Sequence, residues 1–103
     1  SMSIFNQLFG GAADADVKSI IEDGAFLVDV RTPGEFAEGH VKGSVNIPLD
    51  SIQSQLSLFK DKKNIVVFCR SGSRSGMAKS ILEQNGIKNV VNGGTWNFVN
   101  QFV

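Results

Sequence analysis

Apolar positions along the chain alternate between helical spacing and short unbroken runs. Ile4, Phe5, Leu8 and Phe9 are spaced for one face of a short packing helix, closed by Gly10 and Gly11. Val17, Ile20 and Ile21 repeat that spacing and predict a second helix, with Asp14 able to cap it and Gly24 to stop it. "AFLVDV", residues 25–30, reads as a buried strand, and "TPGEF" then turns the chain. A second short strand is expected around Val45 to Ile47, stopped by Pro48. Asp50 can cap a helix that turns Ile52, Leu56 and Phe59 inward. "NIVVFC", residues 64–69, is the clearest strand, and its lack of polar alternation predicts burial on both faces, as in a parallel sheet. A helix follows from about Ser75 to Asn85, with Met77, Ala78, Ile81 and Leu82 on one face and Gly86 as terminator. "NVV" supplies a further strand, and Trp96, Val99 and Phe102 suggest a closing helix after Gly93 and Gly94.

Strands alternating with helices predict an α/β domain with a mainly parallel sheet and right-handed crossovers. Its bounds are set at residues 14–103, with residues 1–13 as an N-terminal extension. In such sheets ligands bind beyond the carboxyl ends of the strands. Cys69, the only cysteine, stands at that end of the clearest strand.

Composition narrows the possibilities. Ten basic and ten acidic side chains cancel, which removes any global attraction to nucleic acid or an anionic membrane. One cysteine cannot form an internal disulfide, and with a single histidine it builds no recognisable zinc cluster. The opening residues lack the basic front of a signal peptide, and the apolar runs are too short to span a bilayer. A soluble, cytoplasmic protein is expected.

The chemistry gathers in "FCRSGSRSGMA", residues 68–78. Between strand and helix runs Cys69-Arg70-Ser71-Gly72-Ser73-Arg74. Small residues let successive backbone N–H groups turn inward as an anion nest, and the following helix adds its positive end. Two arginines stand nearby. All three features favour thiolate over thiol and so predict a reactive cysteine. The bland alternative is a small buried hydrophobe, the common fate of a lone cysteine; the position before a glycine-serine-arginine loop argues against it. Four residues separate Cys69 from Arg74. Cysteine phosphatases place five in a similar loop that encircles phosphate, so the smaller ring here suits one added sulfur atom better. Ser75, after the arginine, is shared by both groups and does not discriminate.

These residues resemble a rhodanese domain, the sulfurtransferase family. The resemblance lies in "LVDVRTPGEFAEGHVKGSVNIP" at 27–48, "VVFCRSGSRSGMA" at 66–78 and "VVNGGTWNF" at 90–98, in the family's order. It implies a five-stranded parallel sheet flanked by helices on both faces, and a Cys69 persulfide formed during turnover. It also implies that the backbone from Arg70 through Arg74 cradles that persulfide, with Ser75 completing the loop. Arg70 is placed either to face incoming anions or as a solvated charge. Arg74 is expected to anchor the loop on a carboxylate, for which Asp29 is the plausible partner.

Asp29 and Arg31 form the family's "DVR" signature and are expected to fix loops at the sheet's carboxyl edge. His40 is expected to pack and hydrogen-bond rather than act as a base, and Trp96 to belong to the core. Thiosulfate-specialised members carry cations where Glu35 and Ser71 stand here, which points toward a persulfide as the physiological donor. The implied function is transfer of a sulfane sulfur from thiosulfate or a persulfide to a thiol or cyanide acceptor, with a protein as a further candidate for sulfur donor or acceptor. The implied alternative is a non-catalytic binding or regulatory module. No metal or organic cofactor, nucleic acid or membrane is expected to take part.

Overall fold

The computed structural model describes residues 14–103. The helix expected from Ile4 to Phe9 lies outside them, as does the side chain of Asp14. The element order is α1 (Asp14–Glu22), β1 (Phe26–Asp29), α2 (Pro33–Ala37), β2 (Val45–Asn46), two 3₁₀ segments (Leu49–Ser51 and Gln53–Phe59), β3 (Ile65–Cys69), α3 (Ser73–Gln84), β4 (Val90–Thr95) and α4 (Trp96–Asn100). The strands form one parallel sheet in the order β2-β1-β3-β4. Among the described residues there are four strands where five were expected.

Burial follows the strand period of two. Val28, Ile65, Val67, Cys69 and Val90 face one layer, where they pack with Ile52, Phe59, Ala78 and Leu82. Leu27, Val66 and Phe68 face the other, against Val41, Val99, Ile20, Ile21 and Trp96. Every residue of β3 is buried, as its unbroken apolar run predicted. Cys69 therefore points to the layer that holds α3.

Three local expectations are corrected. "TPGEF" is a helix as well as a turn. Thr32 accepts from the Glu35 backbone N–H, the Glu35 side chain accepts from the Thr32 backbone, and Pro33 occupies the first turn. Residues 49–59 form 3₁₀ segments, not an α-helix capped by Asp50; Pro48 precedes the first segment and no side chain caps it. The serines explain the difference, because hydroxyls that bond nearby carbonyls compete with the α-helical ladder: Ser54 Oγ donates to the Ser51 carbonyl at 3.0 Å. Ile52 and Phe59 still reach the core. Finally, Met77 is half exposed at 50% and stands off the buried face of α3, which Ala78 and Leu82 supply.

β4 also runs farther than "NVV". It continues through two glycines to Thr95, with a bulge: Val67 pairs with Asn92 and Phe68 with Gly94. Gly93 is the extra residue. A Cβ there would lie 2.8 Å from both Val66 Cγ1 and Val99 Cγ2, so only glycine fits between the sheet and α4.

The strand order places the site. The chain leaves β1 toward β2 and leaves β3 toward β4, in opposite directions along the sheet. Divergent loops at adjacent parallel strands open a crevice at their carboxyl ends. The loop after β1 carries Arg31 and Thr32, and the loop after β3 carries Arg70 to Gly72.

Candidate active site: the loop around Cys69

β3 ends at Cys69, and the chain must reverse at once to begin α3 at Ser73. Gly72 makes the reversal with φ of +96°, in the left-handed region that L side chains resist. This turn aims its own N–H at the sulfur: Gly72 N donates to Cys69 Sγ at 3.0 Å. From the first turn of α3, Ser75 N donates to the same sulfur at 3.4 Å, and Ser75 Oγ lies 3.4 Å away. The helix thus presents unpaired N-terminal donors to the place where negative charge would sit.

Burial pushes the Cys69 thiol up. The Ser75 hydroxyl and amide, with the Gly72 and Ser71 amides, pull it down and outweigh burial, so the thiol lies below its ordinary value. The cysteine itself has no solvent exposure and belongs to the α3-side core.

The arginines divide. Arg70 is exposed and forms no hydrogen bond or ion pair among the described residues. Arg74 anchors the loop, but on Glu35 and not on Asp29. Its Nη1 and Nη2 meet Glu35 Oε1 and Oε2 at 2.7 and 3.0 Å, a parallel two-bond pair. The Arg74 guanidinium, with the Thr32 backbone, holds the Glu35 carboxyl down at about 2. One carboxylate thus joins the capping box of α2 to the sulfur loop. Ser71 and Ser73 are exposed.

Asp29 is committed elsewhere because Arg31 is its neighbour. Asp29 Oδ1 accepts from Arg31 N and Nε at 3.0 and 2.9 Å, and Oδ2 from Nε and Nη2 at 3.0 and 2.7 Å. The pair is buried, and Arg31 Nη2 also donates to the Gly39 carbonyl at 2.8 Å. The Trp96 ring lies under the guanidinium, 4.6 Å from its centroid. Asn46 Nδ2 donates to the Asp29 and Arg31 carbonyls at 3.0 and 2.9 Å, which ties β2 to the same corner. His40 is exposed, stacks on Phe36 at 3.7 Å and bonds through Nδ1 to the Phe36 carbonyl at 2.8 Å.

Asn92 is the residue that sequence reasoning missed. From β4 its Oδ1 accepts from Ser75 Oγ at 2.7 Å and Gly94 N at 2.9 Å, while Nδ2 donates to the Gly72 carbonyl at 3.3 Å. An asparagine beside a glycine pair reads as a turn residue, and only the bulge turns it toward the loop. A cleft of about 250 Å³ opens beside the loop, lined by Val30, Thr32, Pro48, Leu49, Asp50 and Arg74. Among the described residues no group of three or more His, Cys, Asp or Glu could hold a metal, and no helix is long and apolar enough to cross a membrane.

Comparison with known proteins agrees with this geometry. The sequence profile of the rhodanese-like domain family matches residues 13–100. The thiosulfate sulfurtransferase PspE of Escherichia coli strain K12 is 38% identical over 69 residues, covering 65% of this chain and 66% of that protein. A solved E. coli rhodanese with anions is 34% identical with a TM-score of 0.66, covering 73% of this chain and 91% of that one. The human single-domain sulfurtransferase TSTD1 is 26% identical with a TM-score of 0.72, covering 86% and 93% respectively. The chain spans between about half and two thirds of the length of several curated relatives that it matches. A parallel sheet flanked by helices, a cysteine loop at its carboxyl edge and a match over most of the chain together place this protein in the rhodanese-like domain family.

Proposed function

We propose that this chain is a sulfurtransferase that moves a sulfane sulfur through a persulfide on Cys69. The supporting observation is the convergence of Gly72 N, Ser75 N and Ser75 Oγ on one sulfur, at 3.0, 3.4 and 3.4 Å. Donors set around a sulfur stabilise its anion and lower the barrier to attack on an electrophilic sulfur.

With thiosulfate, the Cys69 thiolate attacks the outer sulfur. The Cys–S bond forms, the S–S bond of thiosulfate breaks, and sulfite leaves with the electron pair. With a persulfide donor, R–S⁻ leaves instead. The terminal sulfur of the Cys69 persulfide is then taken by an external thiol or by cyanide, which returns the thiolate. No second cysteine exists to resolve the persulfide, so the acceptor comes from outside.

Glu35 bears on the donor. It neutralises Arg74, and Ser71 adds no charge, so Arg70 is the one loop cation left unpaired among the described residues. This charge balance favours a persulfide over the dianionic thiosulfate as donor. Arg70 faces the incoming anion, and Arg74 holds the loop.

The closed position of Cys69 favours a second reading, a non-catalytic rhodanese-like binding or regulatory module. One experiment separates the two. Intact-protein mass spectrometry after incubation with thiosulfate, and separately with a low-molecular-weight persulfide, is expected to show one added sulfur on the wild type and none on C69S. Steady-state transfer to cyanide is expected to vanish in C69S while the fold persists. An unmodified wild-type protein with no transfer from either donor would overturn the transfer reading.

A further inference from the structure

The Ser75 hydroxyl has one proton and three acceptors around it: Asn92 Oδ1 at 2.7 Å, the Gly72 carbonyl at 3.1 Å and Cys69 Sγ at 3.4 Å. The Gly72 carbonyl is already served by Gly76 N at 3.1 Å and by Asn92 Nδ2 at 3.3 Å. That leaves the amide oxygen and the sulfur as claimants. While Cys69 is a thiol, its S–H can donate to Ser75 Oγ, and the hydroxyl proton goes to the nearer oxygen of Asn92. Once the sulfur is anionic it has no proton to give and becomes the stronger acceptor, so the hydroxyl must turn to it. Asn92 Oδ1 then keeps Gly94 N at 2.9 Å as its donor. No polar atom is left without a partner in either state.

We propose that Asn92 is a positioning residue that acts through Ser75, holding the hydroxyl proton while Cys69 is a thiol and yielding it when the sulfur carries charge. The same exchange serves the terminal sulfur of a persulfide, which is also an anion. This inference rests on the sulfur-transfer reading above, but its test does not, because it follows ionisation of the thiol and not turnover.

The charged groups that face the site are few. Arg70, next to Cys69 on the loop, is a cation unpaired among the described residues, and it is the same in every variant tested below. Arg74 comes from α3 and is neutralised by Glu35 of α2, and Asp29 at the end of β1 is paired with Arg31. β4 brings no charged side chain; its sequence is VVNGGT. Asn92 therefore acts as a neutral acceptor, and its effect on the sulfur should pass through the Ser75 proton.

The test is the pH dependence of the ultraviolet absorbance of the Cys69 thiolate, which needs no reagent to reach the closed sulfur, in the wild type, N92A, S75A and the double variant. Removing Asn92 hands the hydroxyl proton to sulfur, so N92A is expected to shift the profile to lower pH by about half a unit, a roughly threefold gain in thiolate at fixed pH. In the S75A background the same change is expected to shift nothing. A shift of equal size in both backgrounds, a shift to higher pH, or no shift in N92A would overturn the proposal. If circular dichroism shows that N92A does not fold, the near-isosteric N92D replaces it. N92D is expected to raise the profile more in the Ser75 protein than in S75A, and equal shifts would overturn the proposal. Failure of sulfur loading in the wild type, with this coupling intact, would remove the transfer reading alone.

Discussion

Removing the charge of Asp29 should be costly far beyond its size. In D29N the side chain keeps its shape but loses its anion, and one carboxylate oxygen becomes an NH₂ group. Four bonds run from Arg31 to the two oxygens, at 2.7 to 3.0 Å, so the new donor must face an existing one. The Arg31 and Asp29 side chains are 5% and 0% exposed, so solvent cannot replace the lost charge. Removing one member of a buried pair typically costs about 3–5 kcal/mol, because the other is left uncompensated. Arg31 retains the Gly39 carbonyl at 2.8 Å and the Trp96 face at 4.6 Å, which argues for about 3 kcal/mol. Against a total of about 5–15 kcal/mol for a domain, that is a fifth or more of the stability. Urea unfolding should show the midpoint falling by about 1–3 M, for a slope of about 1–3 kcal/mol/M that itself stays unchanged. Adding R31M to D29N should recover part of the loss, since it removes the stranded cation. A D29N loss below about 1 kcal/mol would mean that the pair behaves as a solvated surface bridge. A double variant no more stable than D29N would mean that stranded charge is not the cause.

Three further outcomes follow from single contacts. G93A should lose about 1–3 kcal/mol in chemical denaturation, because the new methyl meets two fully buried valine methyls that have no room to swing away; a neutral result refutes that packing. G72A should lose about 1–2 kcal/mol to left-handed strain and, by displacing a donor from Sγ, move the ionisation of Cys69, followed by thiolate absorbance, to higher pH; an unchanged profile would show that the Gly72 amide does not hold the thiolate. Glu35 has a folded value of about 2 against an ordinary 4.5, so its contribution is full above about 4.5 and is lost as pH falls through about 2. The thermal midpoints of wild type and E35Q should therefore converge across that window, more weakly at high salt, and a constant gap from pH 5 to 2 would refute the assignment.

Legibility in the sequence tracked the length over which a pattern repeats. β3 and α3 carry five and twelve residues, enough for a burial pattern to show and to mark their starts to within two residues. α2 has five residues and no buried position, so no periodicity marks it. Its signal was chemical, a threonine with a proline after it and a glutamate three residues on, which describes a capping box as well as it describes a turn. The segment from 49 to 59 has the inward spacing of a helix, but its serines offer the backbone local partners, and spacing alone cannot separate α from 3₁₀ geometry in so few turns.

The sulfur loop was legible for a different reason: its donors are local. Gly72 and Ser75 lie three and six residues from Cys69, and a strand-to-helix reversal has few ways to turn so quickly. Partners that reach across the fold were not legible. The sequence offers Asp29 as partner for Arg74, since one ends a strand and the other begins a helix at the same edge. Yet Arg31 is two residues from Asp29 and closes its pair almost without loop-closure cost, whereas Arg74 would have to compete for the carboxylate across the sheet. Glu35 is free to take Arg74 because the capping box holds its carboxylate at the N-terminus of α2 and leaves acceptor sites open. The helix in "TPGEF" and the partner of Arg74 thus depend on the same carboxylate, Glu35. Asn92 follows the same logic on the other side: without the bulge at Gly93, nothing in "VVNGGT" says which way the amide faces.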